Sequence, residues 1–169
     1  MKKIISSLTI FLTTLFVFAN NHVLLTNAAS ATTTEEIIKG NVISTEIIPL
    51  DESYYMEVIT YDTTPSQVSR ATASKVKKAS KTHNIKNAAD ATLVSYTLSA
   101  EFTYNGTTST CTYVSHSETV YDSTWYFSSA TASKSGNKAT GSYTAKCPTL
   151  GQTVSNTITI TCDANGNIS

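Results

Sequence analysis

The stretch ATLVSYTLSAEFTYNGTTSTCT, residues 91–112, decides the fold. Val94, Tyr96, Leu98, Ala100, Phe102 and Tyr104 take every even position, with Ser95, Thr97, Ser99, Glu101 and Thr103 between them. A period of two gives a β-strand one apolar face and one wet face. The run stops at Asn105-Gly106, a pair tolerant of positive φ and therefore suited to a two-residue hairpin turn. Such a loop predicts Tyr104 opposite Thr107, Phe102 opposite Ser109, Ala100 opposite Cys111 and Leu98 opposite Tyr113. Cys111 and Tyr113 then fall on the apolar face.

The same signals recur outward. Downstream, Trp125 and Phe127 point inward around Tyr126. Ser135-Gly136-Asn137 is a turn, and Ala139, Gly141, Tyr143 and Ala145 then alternate with Lys138, Thr140, Ser142, Thr144 and Lys146. Pro148 to Gly151 closes a further hairpin, and Val154, Ile158, Ile160 and Cys162 share one face of the last strand. Upstream, Lys75 to Ile85 is polar on both faces, which suits a sheet edge. Strands at this spacing, with no helical periodicity between them, predict an all-β fold: an antiparallel two-sheet sandwich of immunoglobulin-like type. The lone Trp125 reads as a core anchor rather than a carbohydrate platform.

With 169 residues the chain holds one ordinary domain plus appendages, and its 14% charged residues are too few for a disordered chain. Residues 1–31 read as a signal peptide: Lys2 and Lys3, an apolar run from Ile4 to Phe18, and Ala29-Ser30-Ala31 as the cleavage site, cut after Ala31. Asn20, Asn21 and His22 break the apolar run short of a membrane span, so no stable membrane insertion is expected after cleavage. Residues 32–70 carry seven acids against two bases, and residues 71–169 eight lysines against five acids. The acidic segment reads as an N-terminal extension whose stretches Val42 to Leu50 and Tyr54 to Tyr61 form an edge hairpin laid against the β-sandwich domain of residues 71–169. Its sharper reading is a pro-segment released by cleavage after Arg70, the chain's only arginine. Aromatic residues are not interleaved with the lysines, which argues against nucleic acid as a partner.

Three cysteines in an exported chain imply one disulfide and one leftover thiol. If Pro148 to Gly151 is a hairpin loop, Cys147 sits beside Gln152 while Cys162 lies ten residues further along, roughly 30 Å away at about 3.3 Å per residue. That distance excludes a Cys147–Cys162 bond. Of the remaining pairings Cys111–Cys162 is preferred, since both lie inside strands on the apolar phase. Cys147 is then a free thiol beside a turn proline, accessible and without a local activating motif.

Catalytic chemistry has little support in the sequence. His83 and His116, the histidines left after signal removal, lack metal-ligand spacing, and His116 is expected to face solvent. A distant pairing of Cys147 with either histidine is the one enzymatic arrangement to weigh. No Gly-x-Ser-x-Gly, phosphate-binding glycine loop or EF-hand ladder occurs. Asp163-Ala164-Asn165-Gly166-Asn167 reads as a plain turn rather than a calcium loop. No catalytic residue, metal ligand or cofactor is expected.

The ordered motifs Phe102-Thr103-Tyr104-Asn105-Gly106, Cys111, Trp125, Ser133-Lys134-Ser135-Gly136-Asn137-Lys138-Ala139 and Thr159-Ile160-Thr161-Cys162 resemble a group of small secreted proteins of Gram-positive Firmicute bacteria over residues 73–169. The resemblance implies a compact secreted β domain with a bridge between the cysteines at 111 and 162, while Cys147 departs from the group's hairpin pattern. It implies no activity. The expectation is therefore a secreted non-enzymatic domain, binding or structural, with an unidentified partner at the cell envelope or outside the cell. The alternative is a secreted toxin or antimicrobial effector restrained by residues 32–70. Nothing in the sequence fixes an oligomeric state.

Overall fold

A computed structural model describes residues 40–65 and 74–169. The expected signal peptide with Ala31, and Arg70, lie outside the described residues. Eight strands follow in chain order: β1 (Asn41–Pro49), β2 (Tyr54–Asp62), β3 (Lys75–Asn87), β4 (Thr92–Tyr104), β5 (Ser109–Val120), β6 (Tyr126–Ser135), β7 (Lys138–Cys147) and β8 (Gln152–Thr161). They form a five-stranded sheet, β1-β2-β3-β4-β5, and a three-stranded sheet, β6-β7-β8, with every pairing antiparallel. The fold is all-β and sandwich-like. Strand order follows chain order in both sheets, whereas an immunoglobulin domain interleaves its strands in a Greek key.

β4 is the spine of the core. Tyr96, Leu98 and Phe102 are fully buried, and they join Tyr143 and Ala145 of β7, Ile158 and Ile160 of β8, and Trp125 in one cluster. Tyr96 stacks on Tyr143 across the two sheets, with ring centroids 4.8 Å apart. Trp125 is buried edge-on against Tyr54, as a core anchor should be.

The hairpin after β4 differs from its expected register. Tyr104 pairs with Ser109 and Phe102 with Cys111, so the connection has four residues rather than two. The extra length comes from the Asn105 side chain, whose Oδ1 accepts from the Thr107 and Thr108 amides at 3.0 and 2.8 Å, while Gly106 takes φ +87°. A shift of two residues leaves Cys111 on the inner face. One residue later the alternation breaks: Glu101 pairs with Tyr113, which makes Thr112 the extra residue of a β-bulge. Thr112 Oγ1 donates to Glu101 O (3.1 Å), and Lys134 donates to Thr112 O. The bulge turns Tyr113 outward, where it is 59% exposed, which corrects the expectation that it lies on the apolar face. His116, paired with Leu98, is exposed, as expected.

β3 is also corrected, from an edge strand to an interior one. Residues of β2 pair with it from Tyr54↔Asn87 to Asp62↔Ala79, so two strands from the acidic segment continue the sheet. Covering that edge explains how a Lys- and Ser-rich strand comes to contribute Ala79, Ser80, His83 and Ile85 to the interior.

Candidate functional site

The three-stranded sheet presents an unusual outer face. Its inward side chains are Ala139, Tyr143, Ala145, Ile158 and Ile160, so alternation sends the residues between them outward. Pairing lines these up in rungs across β6, β7 and β8: Ser133–Thr140–Thr159, Thr131–Ser142–Thr157 and Ser129–Thr144–Ser155. Nine hydroxyls thus form a grid with about 4.8 Å between strands and about 6.7 Å between rungs. The bulge at Ser128 brings β6 into this phase. Beyond the grid lie the rungs Ser135–Lys138–Thr161 at one end and Tyr126–Lys146–Thr153 at the other.

Neighbouring hydroxyls meet in pairs. Ser142 Oγ lies 3.2 Å from Thr157 Oγ1, and Thr144 Oγ1 lies 3.0 Å from Ser155 Oγ. Each hydroxyl has one donor and two acceptor positions, so a paired one retains capacity for a ligand. A shallow recess of about 390 Å³ opens here, lined by Ser129, Ser142, Thr144, Ser155 and Thr157 together with Tyr143 and Asn156. No Asp or Glu occurs between Tyr126 and Thr161. Among the described residues Lys138 and Lys146 make no ion pair, whereas Lys77, Lys78 and Lys86 of β3 each hold a carboxylate.

The cysteines fall at opposite ends of the core. The Cys111 amide donates to Gly136 O (2.7 Å) and the Cys162 amide to Asn137 O (3.2 Å), so both are tied to successive residues of one turn. Both are buried, and burial is the main reason each thiol pKa is raised. Cys147 pairs with Gln152 across the β7–β8 hairpin and is fully buried rather than accessible. Its strand phase points it inward with Ala145. The Thr149 hydroxyl, 3.2 Å from the sulfur, lowers its pKa, with Thr124 a second partner at 3.7 Å.

Neither histidine is among the hydrogen-bond partners of Cys147. His116 stacks on Tyr96 (5.7 Å between centroids), and its Nε2 meets Glu118 Oε1 at 3.2 Å. His83 is buried between the sheets with Nδ1 3.1 Å from the Tyr143 hydroxyl; desolvation, with Lys81 nearby, lowers its pKa to about 4. The hydroxyl donates in turn to Met56 Sδ (3.3 Å). The Lys81 ammonium donates to Thr159 O (2.8 Å), and burial lowers its pKa.

Among the described residues no group of three acids, histidines or cysteines is arranged to hold a metal. Asp163 spends its carboxylate on its own turn: Oδ1 accepts from the Asn165 and Asn167 amides, each at 2.8 Å, and Oδ2 from the Asn167 side chain at 2.7 Å. Among those residues, too, no helix is long and apolar enough to cross a membrane.

The hydroxyl grid was not evident in the sequence as a site, because each strand alone shows only an ordinary solvated face. The absence of acids over 36 consecutive residues, Tyr126 to Thr161, is the signal that marks it. Compared with family models, with curated proteins and with solved structures, the chain matches none.

Proposed function

We propose that this chain is an exported, non-enzymatic binding domain whose contact surface is the outer face of the three-stranded sheet, acting at the cell envelope or outside the cell. The observation that carries the reading is the acid-free grid of hydroxyls bracketed by two unpaired lysines on a rigid sheet. Hydroxyls at fixed spacing are ordered by the backbone ladder, so little conformational entropy is lost when they meet a partner. The positive n-region, apolar run and Ala29-Ser30-Ala31 site support export, and the paired placement of Cys111 and Cys162 beside one turn supports a disulfide between them.

The test is co-sedimentation of the purified protein with isolated cell envelopes of the producing organism, alongside a Lys138→Glu/Lys146→Glu variant with an unchanged unfolding midpoint. Retention of the parent and loss of the variant is expected. Equal retention of both, or retention of neither, overturns the reading.

A further inference from the structure

We infer that the hydroxyl grid takes a linear acidic polysaccharide lying along β7, an assignment that rests on the binding-domain reading above. The argument is one of matched chemistry. A sugar chain presents hydroxyls that donate and accept, and a Ser/Thr hydroxyl answers both roles where a carboxylate or an ammonium answers one. The rungs Ser133–Thr140–Thr159, Thr131–Ser142–Thr157 and Ser129–Thr144–Ser155 supply such groups in two dimensions, over roughly 13 Å of strand length from the first rung to the last.

Charge selects the acidic member of the class. Lys138 and Lys146 stand at the two ends of this track, roughly 26 Å apart along β7, and no acid on this sheet competes for them. Two like charges that far apart are screened from each other at physiological salt, so they do not jointly attract one small anion. They suit a polymer long enough to reach both while its hydroxyl groups cross the grid. Tyr126, 45% exposed and on the rung of Lys146, adds an amphipathic ring at one end of the path. A protein partner fits less well, because the face lacks the central apolar anchors that hold protein interfaces.

The probe is polygalacturonate, titrated calorimetrically into the secreted chain, with dextran as a neutral sugar polymer and poly-glutamate as a polyanion without sugar hydroxyls. Binding of polygalacturonate alone is the expected result. Lys146→Gln should weaken it about tenfold, the loss of one charge-assisted hydrogen bond. Thr144→Val, which keeps shape and removes the hydroxyl, should weaken it without changing the salt dependence. Equal binding of dextran, equal binding of poly-glutamate, or no binding of polygalacturonate overturns the inference. If polygalacturonate fails while envelope retention still depends on the lysines, this inference falls and the binding-domain reading stands; if that retention is absent too, both fall.

Discussion

The Tyr143 hydroxyl lies 3.1 Å from Nδ1 of His83, and the two residues belong to different sheets. His83 therefore joins the layers by a polar contact, and the pair also packs edge to face with centroids 5.8 Å apart. Burial pushes the Tyr143 phenol pKa upward, so the hydroxyl stays neutral, and Lys81 beside His83 adds to the cost of charging the imidazole.

That cost makes stability depend on pH. The folded His83 titrates near 4 and the unfolded one near 6.5, so between these values the unfolded chain binds the extra proton. Stability is unaffected by this group above about pH 6.5 and falls as pH drops toward 4, by roughly 2 kcal/mol at pH 5. Thermal unfolding followed from pH 7 to 4.5 should show a falling midpoint, and His83→Gln should flatten that slope. The lowered carboxylates Asp62, Asp122 and Asp163 lose their contribution only at lower pH, as they protonate. An equal slope in parent and variant would sink the assignment.

Gly141 is held in place by Tyr96. A Cβ on Gly141 would collide with the Tyr96 hydroxyl and come within 2.9 Å of Ile158 Cγ2. The Tyr96 hydroxyl is itself committed to Thr131 O at 2.6 Å, so it cannot swing away without orphaning a buried donor. Gly141→Ala should destabilise by about 1–3 kcal/mol in urea unfolding, despite the higher strand propensity of alanine.

How much of this was legible follows from which residues are governed by local alternation. The even positions of β4 and the inward Ala139, Tyr143 and Ala145 of β7 were readable because period two is a local property. Tyr113 was not: a single extra residue, Thr112, reverses the phase, and Lys134, from another strand, donates to the bulge. β3 looked like an edge because its own residues are polar, while its cover, β2, comes from a segment that charge had set apart. Cys147 looked accessible beside Pro148, yet strand phase turns it into the core. The candidate site needed three strands in register, which no single strand's pattern supplies.

The cysteines should differ sharply in chemistry. On the proposed Cys111–Cys162 disulfide, the denatured, unreduced protein should bind one equivalent of thiol reagent, at Cys147, and the folded protein should react slowly because that sulfur is buried. Cys111→Ser should cost about 3–4 kcal/mol, and adding Cys162→Ser should cost little more, because the loop constraint is lost once. Peptide mapping without reduction checks the linkage. A bridge involving Cys147, or three reactive thiols in the purified, unreduced protein, would refute it.

The toxin alternative requires the acidic hairpin to leave, and the sheet opposes that. β2 is paired with β3 along its whole length, from Tyr54 to Asp62, and Met56 is 1% exposed under the Tyr143 hydroxyl. Glu57 meets Lys86 at 3.5 Å and Asp62 pairs with Lys77, so both acids of β2 are already answered by lysines of β3. Burying Met56 and Val58 contributes about 1.5–3 kcal/mol each, and departure would also expose β3 as a new, unpaired edge. Cutting the chain after Arg70 with an arginine-specific protease should therefore leave both fragments eluting together on native size exclusion and separating only in denaturant. Met56→Ala should loosen this association by about 2–4 kcal/mol. If the fragments part under native conditions without that substitution, the hairpin is a detachable pro-segment, and the inhibited effector becomes the better account of the chain.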